Sequence, residues 1–176
     1  EVIGLTCYVL NITERKRAEE LLRQSEEKYR LLTENASDVI WVLNLAQEKF
    51  TYISPAVKQM RGLTVEEALA QKLHESLSPG SPELINKLIN EHLPKFLAQP
   101  DQPNYYIIEV QQPCKDGTLK WIEISARFRF GNKEGDIEII GVSRDIEERK
   151  KMEAEILENQ ARLRELNATK DKFFSI

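Results

Sequence analysis

Apolar positions recur along this chain with two different periods, and the change of period separates its elements. Residues 14–34 have helix-forming composition, with Ala18, Leu22, Ser25, Tyr29 and Leu32 at 4-3-4-3 spacing. Met152, Ile156, Asn159, Leu163, Leu166, Lys170 and Phe173 repeat that spacing near the C-terminus. Both are a/d seams of the kind that pair helices. Between them the pattern shortens. Asp38–Leu45 and Phe50–Ile53 read as two strands about a turn. Ser54 as N-cap with Pro55 at the first helical position predicts a short helix closed by Gly62, and Thr64 with Glu67 forms a capping box for a helix through about Ala70. Ser81-Pro82-Glu83 opens a longer helix to about Leu97, with Leu84, Ile85, Leu88, Ile89, Leu93 and Phe96 on its apolar side. Strands follow at Tyr105–Gln112, Leu119–Phe130 and Ile137–Arg144, the first two joined by a Lys115-Asp116-Gly117-Thr118 turn. The order β-β-α-α-α-β-β-β predicts an α+β fold on an antiparallel sheet.

One segment occurs twice. Asn-Ile-Thr-Glu-Arg-Lys at 11–16 returns as Asp-Ile-Glu-Glu-Arg-Lys at 145–150, an offset of 134 residues. Each copy follows a β-branched run, Val2–Leu10 or Ile137–Ser143, and leads into a charged helical stretch. The echo implies two copies of one module, the first truncated to its last strand. Asn11 with Glu14, and Asp145 with Glu148, have the spacing of a capping box. Each copy therefore predicts a strand passing almost directly into a capped helix. The second helix, about 30 residues at ~1.5 Å each, is longer than a small domain is wide and must project. A projecting seam needs a partner, and Asn159 and Lys170 within it fit a register-specified dimer. The first helix either pairs likewise or lies on its own domain.

Composition narrows the class. In 176 residues, 29 acids against 25 bases leave a net charge of −4, so a basic footprint for nucleic acid is missing. The runs Arg15-Lys16-Arg17 and Arg149-Lys150-Lys151 are each followed by glutamates at helical spacing, which favours i,i+4 pairing on a solvated helix. No apolar run reaches the roughly 18–20 residues that cross a bilayer, and no signal-peptide pattern opens the chain. A cytoplasmic segment is expected, with any membrane anchor elsewhere in a longer parent, since the sequence opens on Glu1 rather than Met. The two cysteines, Cys7 and Cys114, are too few for a disulfide framework or a four-ligand zinc site. Sequons at Asn11, Asn35 and Asn167 are read as chance.

Several segments, in order, resemble the PAS domain family. They are S-E-E-K-Y-R-L-L-T-E-N-A-S-D-V-I-W-V-L-N at 25–44, Y-I-S-P-A-V at 52–57 and G-L-T-V-E-E-A-L at 62–69. K-D-G-T-L-K-W-I-E at 115–123 and I-I-G-V-S-R-D-I-E-E-R-K at 139–150 complete the set. The last resembles the family's D-I-T-x-R terminator with Glu147 in place of threonine, and residues 11–15 carry it with Asn11 in place of aspartate. A-T-K-D-K-F-F-S-I at 168–176 resembles the opening of the dimerisation and phosphoacceptor helix of sensor histidine kinases. The resemblance implies a PAS fold, a five-stranded antiparallel sheet with helices on one face, flanked by coiled-coil-like helices. It implies five segments: the end of a preceding PAS domain (1–13), a helical linker (14–34), a PAS domain (35–146), a signalling helix (147–168) and the start of a kinase helix (169–176). It further implies a homodimer through the terminal helices, a downstream kinase core and a response regulator in the parent, with a nucleotide cyclase among alternative effectors.

No catalytic constellation is present: no G-x-x-x-x-G-K loop, H-E-x-x-H or G-x-S-x-G. His74 and His92 lie 18 residues apart without further ligands at metal spacing. Haem-binding members of the family place an axial histidine near His92, which is read here as structural. The photoreactive Asn-Cys-Arg motif of flavin-binding members is missing, so no cofactor is expected. Alternation offers Tyr106, Ile108, Val110, Ile122 and Ile124 on adjoining strand faces, with Ile40, Val42, Met60 and Leu88 closing the other side. These either fill a core or bound a pocket for a small molecule. The signalling junction is placed at Asp145, Ile146, Glu148 and Arg149, and the seam at Met152, Ile156, Asn159, Leu163, Leu166 and Phe173.

Overall fold

The computed structural model describes residues 16–21, 23–24, 37–132 and 135–174. It divides into two compact units, Glu1–Asn35 and Ala36–Ile176. In the first, residues 16–21 and 23–24 are helical, and Arg23 pairs with Glu20 at 2.8 Å. The expected strand at Val2–Leu10, the Asn11 cap and the first seam beyond Ala18 lie outside the described residues.

The second unit is built on five strands: β1 (Val39–Asn44), β2 (Lys49–Ile53), β3 (Tyr105–Pro113), β4 (Leu119–Phe130) and β5 (Ile137–Asp145). Their order in space is β2-β1-β5-β4-β3, and every neighbouring pair is antiparallel. Between β2 and β3 the chain forms α1 (Val57–Arg61), α2 (Val65–Ala70), a 3-10 turn (Leu73–Ser76) and α3 (Ser81–Ala98). These pack on one face of the sheet, and α4 (Glu147–Phe174) follows β5. Among the described residues no helix is long and apolar enough to cross a membrane.

Local chemistry sets most of the boundaries. Gly62, at φ 74°, closes α1 by donating its N–H to the Lys58 carbonyl at 3.0 Å. Thr64 and Glu67 form the reciprocal capping box of α2, at 3.2 and 2.9 Å. In the β3–β4 turn Gly117 takes φ 83°, and Asp116 Oδ1 accepts from the Thr118 amide at 2.9 Å. Ser54 departs from its predicted role. Its hydroxyl accepts from the Ile40 amide at 3.0 Å, tying the end of β2 to β1 instead of capping α1.

The last strand in sequence occupies the middle of the sheet. Its Gly141 lies opposite Trp41 of β1, and a Cβ there would sit 2.1 Å from Trp41 Cζ2. Only hydrogen leaves room for the indole, whose Nε1 donates to Ser143 Oγ at 2.9 Å. Phe50 meets the same ring edge-on at 5.8 Å. From the helical layer, Phe96 stacks on Phe128 at 5.7 Å.

Two expected core residues are misplaced by one position. Val39, Trp41 and Leu43 are the β1 side chains buried toward the helices, whereas Ile40 and Val42 project from the opposite face and are half-buried. The run Val39–Leu43 is apolar at every position, so its period carries no information about which parity faces inward. Leu84, grouped with the apolar side of α3, is also exposed.

Candidate functional site

A cavity of about 100 Å³ lies between the helices and the inner face of the sheet. Of the residues predicted to bound it, Met60, Leu88, Tyr106, Ile108 and Ile124 line its wall. Val110 and Ile122, 3% and 0% exposed, belong to the core beside it, and Ile40 and Val42 are on the far side of the sheet. Trp41, Leu43 and Phe50 take the places expected of those two. His92 of α3 lines the cavity and lies against the Tyr106 ring at 4.2 Å. Few polar groups reach it. Ser143 is occupied by the Trp41 indole, Ser76 Oγ donates to the Leu73 carbonyl at 2.7 Å, and Arg61 and Gln112 complete the set with His92 and Arg127.

β5 connects this cavity to a second site on the outer face. Ile139 and Ser143 line the cavity; Asp145 ends the strand, Ile146 is buried, and Glu147 begins α4. The joint is bonded to β4 at several points. Ile146 N donates to the Trp121 carbonyl at 3.0 Å, and Trp121 N donates to Glu147 Oε2 at 3.1 Å. Asp145 accepts from Lys120 Nζ at 2.8 Å and from the Glu147 amide at 2.9 Å. One turn further, Arg149 Nη2 donates to Glu109 Oε1 at 2.8 Å and to Glu123 Oε2 at 3.3 Å. Lys150 pairs with Glu109 at 2.5 Å and lies 5.1 Å from the centre of the Trp121 ring.

This geometry corrects the predicted capping box. Pairing with Ile122 holds Asp145 extended, and Ile146 continues the attachment to β4, so the helix starts one residue later than the spacing implies. Asp145 therefore caps the amide two residues on, and Glu147 accepts from the Trp121 amide of β4 instead of closing a capping box. Glu148, placed in the junction by its spacing, is exposed to solvent.

The PAS-fold family profile matches residues 27–146. The chain belongs to the PAS family. It is 30% identical over 168 residues to the methyl sulfide methyltransferase-associated sensor of Methanosarcina acetivorans, an alignment covering 94% of this chain and 16% of that protein. The chain thus spans about one-sixth of the length of this curated relative. A sensory box histidine kinase/response regulator structure from Burkholderia thailandensis E264 superposes with a TM-score of 0.58 at 21% identity, covering 78% of this chain and 98% of that one. A PAS domain from Colwellia psychrerythraea gives 0.57 at 21%, covering 73% and 98%. At these identities the structures share the fold.

Electrostatics at the joint of this PAS sensor domain favour charged partners. Partial burial pushes the Asp145 carboxyl up, but the bonds from Lys120 and the Glu147 amide outweigh it, and the net shift is downward. The Lys150 bond lowers the Glu109 carboxyl most, desolvation opposes it, and the Arg149 bond adds to the lowering. Lys120 and Lys150 are correspondingly raised by Asp145 and Glu109. Glu109 and Glu123 face each other directly across the β3–β4 pair. Two like charges at that register repel, so the hairpin calls for a cation between them. That signal is present in the sequence once the Asp116-Gly117 turn sets the register, and it points to Arg149. Beyond the joint, Met152, Ile156, Leu163 and Leu166 are each more than half exposed along the 28-residue α4, and Asn159 is exposed among them. Phe173 is helical, with its side chain outside the described residues.

Proposed function

We propose that this PAS domain is the signal-relay segment of a two-component sensor histidine kinase. A change at its cavity passes into a dimeric coiled coil and on to the kinase core. The observation that carries this reading is the continuity of β5 with α4. Within four residues of Ser143, a cavity wall residue, the chain has become a helix bonded to two other strands. A small displacement of β5 then changes the tilt of α4, because Asp145 at the end of β5 caps the helix while Glu109, Trp121 and Glu123 hold it from β3 and β4.

The exposed apolar residues of α4 supply the second half. Met152, Ile156, Leu163 and Leu166 with Asn159 form a seam that a second copy would cover, and alternative packings of such a seam make a two-state element. The kinase assignment draws on the A-T-K-D-K-F-F-S-I segment at 168–176 and on the Methanosarcina relative, which is itself a sensor. On this reading residues 1–13 end a preceding PAS domain, 14–34 are the linker, and 169–176 begin the dimerisation helix. A response regulator then receives the phosphoryl group.

The test is Asp145→Ala in the full-length parent. Autophosphorylation should change by about threefold or more, in either direction, while the 176-residue chain keeps its circular dichroism and denaturation midpoint. Unchanged autophosphorylation would show that the joint is not the lever. A monomer in native mass spectrometry at tens of micromolar would remove the α4 seam as a sufficient dimer contact.

A further inference from the structure

The cavity contains a charge with no counterpart. Arg61 closes α1, is 6% exposed and lines the cavity. Its Nε donates to the Pro113 carbonyl at 2.9 Å, and its own carbonyl accepts from the Lys115 amide at 2.9 Å. The residue therefore clamps α1 to the β3–β4 hairpin. Clamping uses only part of the guanidinium: Nη2 is buried and has no hydrogen-bond partner among the described residues. Among the described residues no aspartate or glutamate lines the cavity. Desolvation correspondingly holds the Arg61 pKa below its ordinary value.

A buried guanidinium keeps its proton, so its free N–H donor and its charge together favour an anion. A carboxylate suits a guanidinium best, because its two oxygens match the spacing of the N–H fork. The remaining wall sets the other end of the ligand. Leu43, Met60, Leu88, Ile108 and Ile124 present hydrocarbon. The volume of about 100 Å³ is below the roughly 150 Å³ that accepts benzene, which limits the ligand to a few carbon atoms. Buried Gln112 also lines the cavity and brings a neutral amide to its wall.

From this arrangement we infer that the cavity is a receptor site for a short-chain aliphatic monocarboxylate, anchored by Arg61 Nη2 with its alkyl tail in the apolar pocket. The inference rests on the sensing half of the function proposed above and not on the relay half. Binding is therefore read separately from kinase output.

The experiment is isothermal titration of the 176-residue chain with butyrate and with its neutral isostere butyramide. Butyrate should bind, and butyramide should bind roughly ten- to a hundredfold more weakly, the difference expected of one charge-assisted pair. Arg61→Met, which keeps length and removes charge, should abolish the preference for butyrate. If that variant does not fold, the comparison of acid with amide on the wild-type chain decides alone. Equal affinity for acid and amide would overturn the proposal. So would a folded wild-type chain that ignores butyrate at tens of millimolar, or one that takes up chloride or phosphate equally well. Butyrate binding with an inert Asp145→Ala variant would leave the site standing and remove the relay. The reverse pair of results would do the opposite.

Discussion

The two faces of the sheet are held together by different physics. On the inner face, Leu43, Val57 and Ile122 are at most 2% exposed, and Trp41 is fitted against Gly141 with no space for a methyl group. Such contacts depend on shape, are costly to disturb and respond little to salt or pH. On the outer face, Arg149 and Lys150 hold α4 through charged groups that water reaches, and Asp145 adds another at the end of β5; the side chains of Asp145 and Arg149 are 38% and 42% exposed. Each such pair contributes little on its own and is weakened by salt. A sensor benefits from this division. The domain keeps its shape while the attachment of α4 can be rearranged at small cost, and β5 takes part in both.

The largest expected effect tests the inner face. Gly141→Val should lower stability by about 3 kcal/mol or more, read as a fall in the urea midpoint, because the new side chain overlaps the Trp41 ring. An unchanged midpoint would mean that the indole can leave Gly141 freely, and the contrast between the faces would fail. Arg149→Ala should shift the midpoint far less than Gly141→Val. It leaves Glu109 facing Glu123, and exchange of the Lys150 amide, bonded to the Ile146 carbonyl at 2.9 Å, should accelerate several-fold. A loss of stability equal to that of Gly141→Val would make the joint part of the core.

The smallest effect is the response to pH. The Asp145 and Glu109 carboxyls are held below their ordinary values, so their contribution is complete above about pH 4 to 5 and is lost as pH falls through the folded values. Lys120 and Lys150 are raised; their contribution is complete below about pH 10 and is lost only as pH rises through the folded values. The joint should therefore stay constant from about pH 5 to 10 and loosen in acid. In an NMR titration the Trp121 indole, beneath Lys150, should shift below about pH 4 before the buried Trp41 indole does. Simultaneous shifts of both rings would mean that acid unfolds the whole domain rather than the joint.

Much of this architecture is legible in residue order. The Thr64–Glu67 box, Gly62, the Asp116-Gly117 turn and the three long strands are local signals, each complete within a few residues. The helical spacing of Met152, Ile156, Leu163 and Leu166 is equally local, and all four are exposed along α4. Local order also placed five of the nine candidate wall residues on the cavity, through the alternation of β3 and β4 and the helix residues Met60 and Leu88. Three features needed the tertiary structure. The inward parity of β1 is hidden because both of its faces carry apolar side chains, so Ile40 and Val42 could not be told from Trp41 and Leu43. The true start of α4 is set by β4, whose Trp121 is 25 residues away from Ile146 and keeps the chain extended past the capping signal. Arg61 is withdrawn from water only once the β3–β4 hairpin, whose Pro113 lies 52 residues on, packs against α1. Sequence alone determined what repeats within a helical turn, a strand pleat or a tight turn, since those energies act between near neighbours. Burial, strand parity and the partners of charges depend on which distant segments meet, and only the assembled sheet and helices decided them.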